Sequence, residues 1–458
     1  MKLSKLTLAN YRGFDQLDLN FADDVTVIAG VNGVGKSGVL KALASALSLG
    51  LPKFTVSRES LLGLSDADVQ SGKPALSMSV TLELDAAKIT TDLTRAAPLP
   101  ADKMETLTKR RDDLRFATRE TKRGSKEEQD INDEIRLIEI QLDQASDISA
   151  VRILPDDAAT DVDELVAVLK DGRQQPLAVF YTTSRFLSRL PPALPKTRKF
   201  DAATAYDKAL NQLEVSLNDF SNWYRVVASD FDAAAKERLF QQLEQAIETF
   251  LPEVRDLALH DLRPPRFSVT KSGKTFFLEQ LSDGERGLLA LVFDLARRLA
   301  IANPDSDNPI AEGEALVLID EIELHLHPSW QRRVLRLLQS TFTRCQFVVS
   351  THSPQVIGQV KPEKLRLLHH DESGKVVVAN ATQSFGMDSS WILQNIMGVP
   401  ARDYETEQRL SEIYQAIDED KLERARTFAE QLRADIGDFP DLQEAIALLD
   451  RFALLRSE

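Results

Sequence analysis

The run Gly30-Val31-Asn32-Gly33-Val34-Gly35-Lys36-Ser37 constrains this 458-residue chain more than any other feature. It matches the pattern G-x-x-x-x-G-K-[ST] in full, and its flanks agree with it. Val25–Ala29 is a short apolar run of the kind buried in a parallel sheet, and Ser37–Leu49 has helical apolar spacing. A strand, a glycine-rich turn and a helix in that order let backbone N–H groups curl around phosphate oxygens. The positive end of the helix adds to the attraction. Lys36 would reach the β- and γ-phosphates of a nucleoside triphosphate, and the Ser37 hydroxyl would ligate Mg²⁺. The expected fold class is therefore α/β, with a mixed, largely parallel sheet.

Three further motifs fall where such a sheet would place them. Leu316-Val317-Leu318-Ile319-Asp320-Glu321 reads as a buried strand ending in a carboxylate. Asp320 would hold Mg²⁺ through water, and Glu321 would orient and polarise an attacking water. Val348-Val349-Ser350-Thr351-His352-Ser353 is another buried strand, ending in a histidine at the same sheet edge. Leu281-Ser282-Asp283-Gly284-Glu285-Arg286 opens a long apolar helix over 281–301, with Ser282 placed to cap it and Glu285 to complete a capping box.

Elsewhere the chain alternates lobes and inserts. Strands are expected within residues 1–30, over Ser77–Leu84 and over Pro176–Phe180, with hairpins near 267–278 and 365–379 and helices over 205–250 and 329–341. Residues 100–147 are charge-dense and carry two sets of apolar residues at helical spacing, Met104, Leu107 and Leu114, then Ile131, Ile135, Ile138 and Leu142. They read either as a short coiled-coil hairpin turning at Gly124, about 30 Å per arm at 1.5 Å per residue, or as two helices lying on the domain surface. The expected organisation is an N-terminal lobe over 1–98, a helical insertion over 99–147, a second lobe over 148–383 and a helical region over 384–458. In that last region Ile413, Ile417, Phe428, Leu432 and Ile436, with Leu442, Ile446 and Leu449, mark apolar stripes. They would bury mostly against one another or the main domain, leaving any remainder for assembly or effector capture.

Composition narrows the partners. With 56 basic against 71 acidic residues the formal charge is −15, so contact with a polyanion would need a local patch. One such run exists: between 172 and 200 there is no acid, but Arg173, Arg185, Arg189, Lys196, Arg198 and Lys199 are present. The single cysteine, Cys345, excludes an intrachain disulfide and a thiolate zinc site. The first residues lack the apolar core of a signal peptide, and no stretch is long and apolar enough to span a bilayer. A cytoplasmic protein with no membrane partner is expected. Glu323, His325 and His327 alternate in a way that could suggest zinc, but they run into Pro328 with no fourth ligand in view, so a structural loop is the better reading.

Taken together, the phosphate loop, Leu281–Glu285, Asp320-Glu321 and His352 resemble the ATP-binding-cassette class of ATPases, in the branch of the chromosome-maintenance and recombination proteins. Leu281–Glu285 matches that class's LSxGE signature, and His352 its switch histidine. The resemblance implies ATP and Mg²⁺ as ligands and two chains meeting head to tail, as a homodimer or higher homo-oligomer. Ser282 and Gly284 of one chain would then close over the nucleotide on the other. Asn10-Tyr11-Arg12-Gly13-Phe14 is similar to the N-x-R-G-F element of the branch, which puts Arg12 near the phosphates. The run Ile319–Gln331, the short insertion and the tail beginning at Ser384 are most similar to stand-alone bacterial ATPases of Septu-type anti-phage systems, some encoded beside retrons. That likeness implies a co-encoded effector, such as an HNH-type nuclease.

Three departures matter. The long coiled-coil arms of the chromosome proteins are absent, no acidic nuclease module follows His352, and Tyr181–Arg185, where a glutamine loop would fall, holds no glutamine. The leading expectation is thus a Mg²⁺-dependent ATPase that controls a separate effector. The alternatives are a DNA-repair or DNA-end-sensing ATPase using the 172–200 patch, and a nucleotide-gated scaffold with little turnover, against which Glu321 argues.

Overall fold

The computed structural model describes residues 1–59, 61–97, 101–120, 126–143, 148–157, 160–171, 174–211, 214–400 and 402–457. The expected turn at Gly124 and the basic Arg173 lie outside them. Two compact units are present, Met1–Gly386 and Met387–Glu458.

The first unit is built on a six-stranded sheet in the order Val376–Ala379, Leu365–His370, Val25–Gly30, Gln346–Thr351, Ala315–Ile319 and Leu177–Tyr181. All neighbours run parallel except the Val376–Ala379 edge, which pairs antiparallel with Leu365–His370. Every residue of the four strands from Val25–Gly30 to Leu177–Tyr181 is buried. That is why they read as continuous apolar runs rather than alternating ones. Helices Lys36–Phe54 and Asp283–Ala302 pack against this sheet. The expected α/β class with a mixed, largely parallel sheet is what forms.

A second, antiparallel sheet orders Phe14–Asn20, Lys2–Tyr11, Ala75–Leu84, Ala87–Ala96 and Ile148–Pro155. Helices Ala101–Glu120 and Lys126–Asp143 interrupt the connection between its last two strands, which stay paired from Ala87↔Pro155 to Thr94↔Ile148. The two helices pack on each other through Leu114, Ile135 and Ile138, with Leu107 and Ile131 partly buried beside them, while Met104 is exposed. A three-stranded sheet adds Val254–His260 to the expected hairpin of Arg266–Lys271 and Lys274–Phe277. Ser272 and Gly273 both take positive φ at that turn, the geometry that suits the right-handed twist of a two-residue hairpin.

Two expected helices are divided. Residues 205–250 form Leu217–Asp230 and Ala233–Phe250, because Ser216 and Asp232 each cap a separate start by accepting backbone N–H groups. The helix expected over 329–341 breaks into Pro328–Gln331 and Val334–Thr341. In the second unit, three helices, Tyr404–Asp418, Leu422–Ile436 and Pro440–Ser457, bury Ile413, Ile417, Leu432, Leu442 and Leu449 in a core of their own. Of the expected stripe only Ile436 stands largely exposed. Among the described residues no helix is long and apolar enough to cross a membrane.

Candidate functional site

The phosphate loop joins strand Val25–Gly30 to helix Lys36–Phe54. Gly30, Gly33 and Gly35 take φ of 155°, 83° and 104°. Two of these glycines are also required by space. A Cβ on Gly30 would lie 2.3 Å from the Leu368 carbonyl oxygen, and one on Gly35 would lie 2.5 Å from the Phe14 ring. Phe14 of the N-terminal hairpin thus packs under the loop. Val31, Asn32 and Gly33 are exposed at the tip and Val34 is buried beneath it. Lys36 is buried, and its ammonium donates to the carbonyls of Gly30 and Val31, both at 2.9 Å. Burial pushes its pKa down, while Glu323, Glu321 and Asp320 pull the other way by favouring the charge.

At the C-terminal edge of the sheet the loop meets the carboxylates. Ser37 Oγ donates to Asp320 Oδ1 at 3.0 Å. Ser350 Oγ donates to the same oxygen at 2.5 Å and accepts the Glu321 N–H at 2.8 Å. The strand order makes this meeting inevitable. Val25–Gly30 and Ala315–Ile319 both neighbour Gln346–Thr351, so their C-terminal ends open on one edge. Glu321 sits at φ 48°, in the left-handed region that a non-glycine residue rarely takes. A hydroxyl and a carboxylate oxygen in contact at the foot of a phosphate cradle are hard donors of the kind Mg²⁺ takes, so the residues present fit that ion.

Two residues missed from sequence organise this edge. Arg185 follows the strand Leu177–Tyr181 and is buried, contrary to its expected place in a surface basic patch. Its guanidinium donates to the carbonyls of Asp320 and Glu321, each at 2.6 Å, and to those of Ile322 and Thr182 at 3.3 Å. Burial lowers its pKa to about 10, opposed by Glu323, Asp320 and Glu321. Glu323 is also buried; it accepts Thr351 Oγ1–H at 2.8 Å and the His352 N–H at 2.7 Å. Its Oε1 lies 3.0 Å from His352 Nδ1, a close approach that does not meet hydrogen-bond geometry. His325 instead packs its ring against Phe186, with centroids 5.4 Å apart and the planes tilted by 47°, and His327 caps Pro328–Gln331 by accepting the Ser329 N–H. The three residues of the alternating run therefore face different partners.

The signature lies at the start of helix Asp283–Ala302, and the capping box forms in full. Ser282 Oγ accepts the Glu285 N–H, and the Glu285 carboxylate takes the Ser282 N–H at 2.9 Å and hydroxyl at 2.7 Å. Lys271 donates to the other Glu285 oxygen at 2.5 Å. Burial would raise the Glu285 pKa, but Lys271 and Ser282 outweigh it and hold the carboxyl below its ordinary range. Ser282 is exposed, whereas Gly284 is buried within its own chain. A Cβ there would lie 2.6 Å from the His325 carbonyl oxygen, so this glycine serves close packing in cis. Arg12, at φ 51°, donates from Nε to Asp68 at 2.7 Å, and its Cδ lies 3.6 Å from where a Cβ on Gly38 would sit. That sets it beside the first turn of the loop helix, with its guanidinium over the Tyr11 ring at 5.4 Å from the centroid.

Known proteins share much of this sequence. A family profile described as “AAA domain, putative AbiEii toxin, Type IV TA system”, AAA_21, matches residues 25–358. Over 433 residues the chain is 26% identical to the “Retron Ec83 probable ATPase” of Escherichia coli, covering 88% of this chain and 77% of that protein. It is 26% identical over 217 residues to the “Septu protein PtuA” of Bacillus thuringiensis, covering 45% of this chain and 54% of that protein. Among solved structures, an SMC head bound to the C-winged-helix domain of ScpA aligns over 83% of this chain and 98% of its own, at 13% identity and a TM-score of 0.46.

Proposed function

We propose, from the premise that this chain belongs to the AAA_21 family and is an ATPase, that it works as a Mg²⁺-dependent switch in defence against phage. Two copies would meet head to tail around ATP and, through that cycle, control a partner effector such as a nuclease. The observation that carries the reading is the contact of Ser37 Oγ with Asp320 Oδ1, which brings together their chain neighbours Lys36 and Glu321. Ser37 and Asp320 would hold a divalent ion, which when bound would supply charge neutralisation for the phosphates. Lys36 would exchange its loop carbonyls for phosphate oxygens. Glu321 would orient a water whose oxygen bonds to the γ-phosphorus as the bond to the bridging oxygen breaks, giving ADP and phosphate.

Ser282, an exposed residue at a helix N-terminus on the signature, supports a contact with the partner copy's nucleotide. A place in a retron- or Septu-type defence system is supported by the relatives that carry those names, and the control of an effector is the further step proposed here. The test pairs two variants. Lys36→Ala should lose ATP binding, while Glu321→Gln should bind ATP, hydrolyse it far more slowly and accumulate as a dimer in light scattering. An unchanged rate in Glu321→Gln would overturn the assignment, and proteins encoded beside this chain that fail to co-purify with the trapped dimer would overturn effector control.

A further inference from the structure

We infer that Arg185 is a positioning residue for ATP hydrolysis: it clamps the backbone turn that carries Glu321 and so fixes where the Glu321 carboxylate points. The inference rests on Glu321 being the hydrolytic carboxylate, and adds a residue to which neither motif nor family likeness assigns a role.

Consecutive carbonyls of Asp320, Glu321 and Ile322 converge on one guanidinium. Carbonyl dipoles that converge repel one another unless a cation sits among them, and here the buried cation donates, among the described residues, to backbone carbonyls. A planar fork suits that task, because separate Nη groups reach separate oxygens at once. An ammonium is a single point and cannot span them. The turn needs such a clamp, since Glu321 at φ 48° takes a left-handed conformation that a non-glycine residue keeps only where its surroundings enforce it. The Glu321 N–H is fixed separately by Ser350 Oγ, so both faces of the peptide units flanking the carboxylate's Cα are tied, one to the neighbouring strand and one to Arg185. Arg185 itself is anchored by the Thr182 carbonyl in the segment leaving strand Leu177–Tyr181, and that strand accepts the Asp320 N–H through Tyr181. The segment where a glutamine loop would fall therefore reaches the site through the Arg185 side chain, which holds the backbone of Asp320 and Glu321.

Arg185→Lys and Arg185→Gln, made in the full chain, test this through ATP turnover, affinity for a fluorescent ATP analogue with Mg²⁺, and thermal melting. Both should melt cooperatively and bind the analogue within about twofold of the parent. The kcat should fall roughly 100-fold in Arg185→Gln, the scale of a misplaced catalytic group, and by a smaller factor in Arg185→Lys. Turnover within about twofold of the parent in both variants, or affinity lost in step with kcat, overturns the inference. If Arg185→Gln does not fold, Arg185→Lys decides alone; if neither folds, Arg185 belongs to stability only and the inference falls. Glu321→Gln assayed alongside separates the two failures: turnover at the parental rate in that variant removes the hydrolytic role of Glu321, whatever the Arg185 variants do.

Discussion

Ser37 Oγ donates to Asp320 Oδ1 at 3.0 Å, joining residues 283 positions apart. The bond is a preformed contact between the two groups expected to share Mg²⁺, made possible because strands Val25–Gly30 and Ala315–Ile319 flank a common neighbour.

Replacing Ser37 by Ala should therefore weaken ATP binding only when Mg²⁺ is present. The loss should be about tenfold or more, the scale of a hydrogen bond to a charged group. Calorimetric titration with Mg²⁺ and again with EDTA checks it. A similar loss in both media would mean that Ser37 supports the loop rather than the ion.

Ser282→Arg places a long cation on an exposed position at the signature. Nucleotide affinity of the isolated chain should stay near the parent's, and ATP-driven dimers of a Glu321→Gln background should disappear from light scattering. Loss of the cap costs about 1 kcal/mol, so the variant should remain folded. Dimers that persist would leave Ser282 as a helix cap alone.

Gly284→Ala sets two effects against each other. Alanine favours an exposed helix by about 1 kcal/mol over glycine. Its Cβ, however, would stand 2.6 Å from the His325 carbonyl oxygen, a backbone atom with little room to retreat. Overpacking of that kind costs about 1–3 kcal/mol, so the clash should win and the urea midpoint should fall. A raised midpoint would show that the His325 turn yields freely.

The carboxyl of Glu59 makes stability depend on pH. Burial raises its pKa from 4.5 to about 7, against the Leu210 N–H and Arg298, which lower it. The folded chain thus holds a proton that the unfolded chain has released between those values. Stability from this group is complete below about 4.5 and is lost as pH rises through about 7. Glu59→Gln, which keeps an acceptor for the Leu210 N–H, should flatten the stability profile across that window. A profile as steep as the parent's would place the titration elsewhere.

Much of this site was legible in one dimension. Gly30–Ser37, Asp320-Glu321 and His352 each close a buried apolar run, and a parallel sheet collects such ends on one edge, so the local pattern already implied the meeting. Arg185 was misread because an acid-free stretch looks the same whether its arginines face water or carbonyls; only the fold decides which one turns inward. Glu323 hid in an alternation with His325 and His327 that suggested a metal, although its partners Thr351 and His352 lie at the end of the strand Gln346–Thr351. The strand Ala87–Ala96 did carry a signal, with Ala87, Ile89, Thr91 and Leu93 buried alternately. Its neighbour Ile148–Pro155, an exposed edge with Ile148 and Leu154 facing out, carried little.

The helical insertion begins and ends on strands that remain zipped from Ala87↔Pro155 to Thr94↔Ile148. To the sheet it is one long loop whose mouth is already closed by that ladder. The entropy of closing such a loop rises only by about 0.6 kcal/mol for each doubling of its length. Whatever the two helices reach for, their span can be lengthened or trimmed at almost no thermodynamic expense to the ATPase fold beneath them.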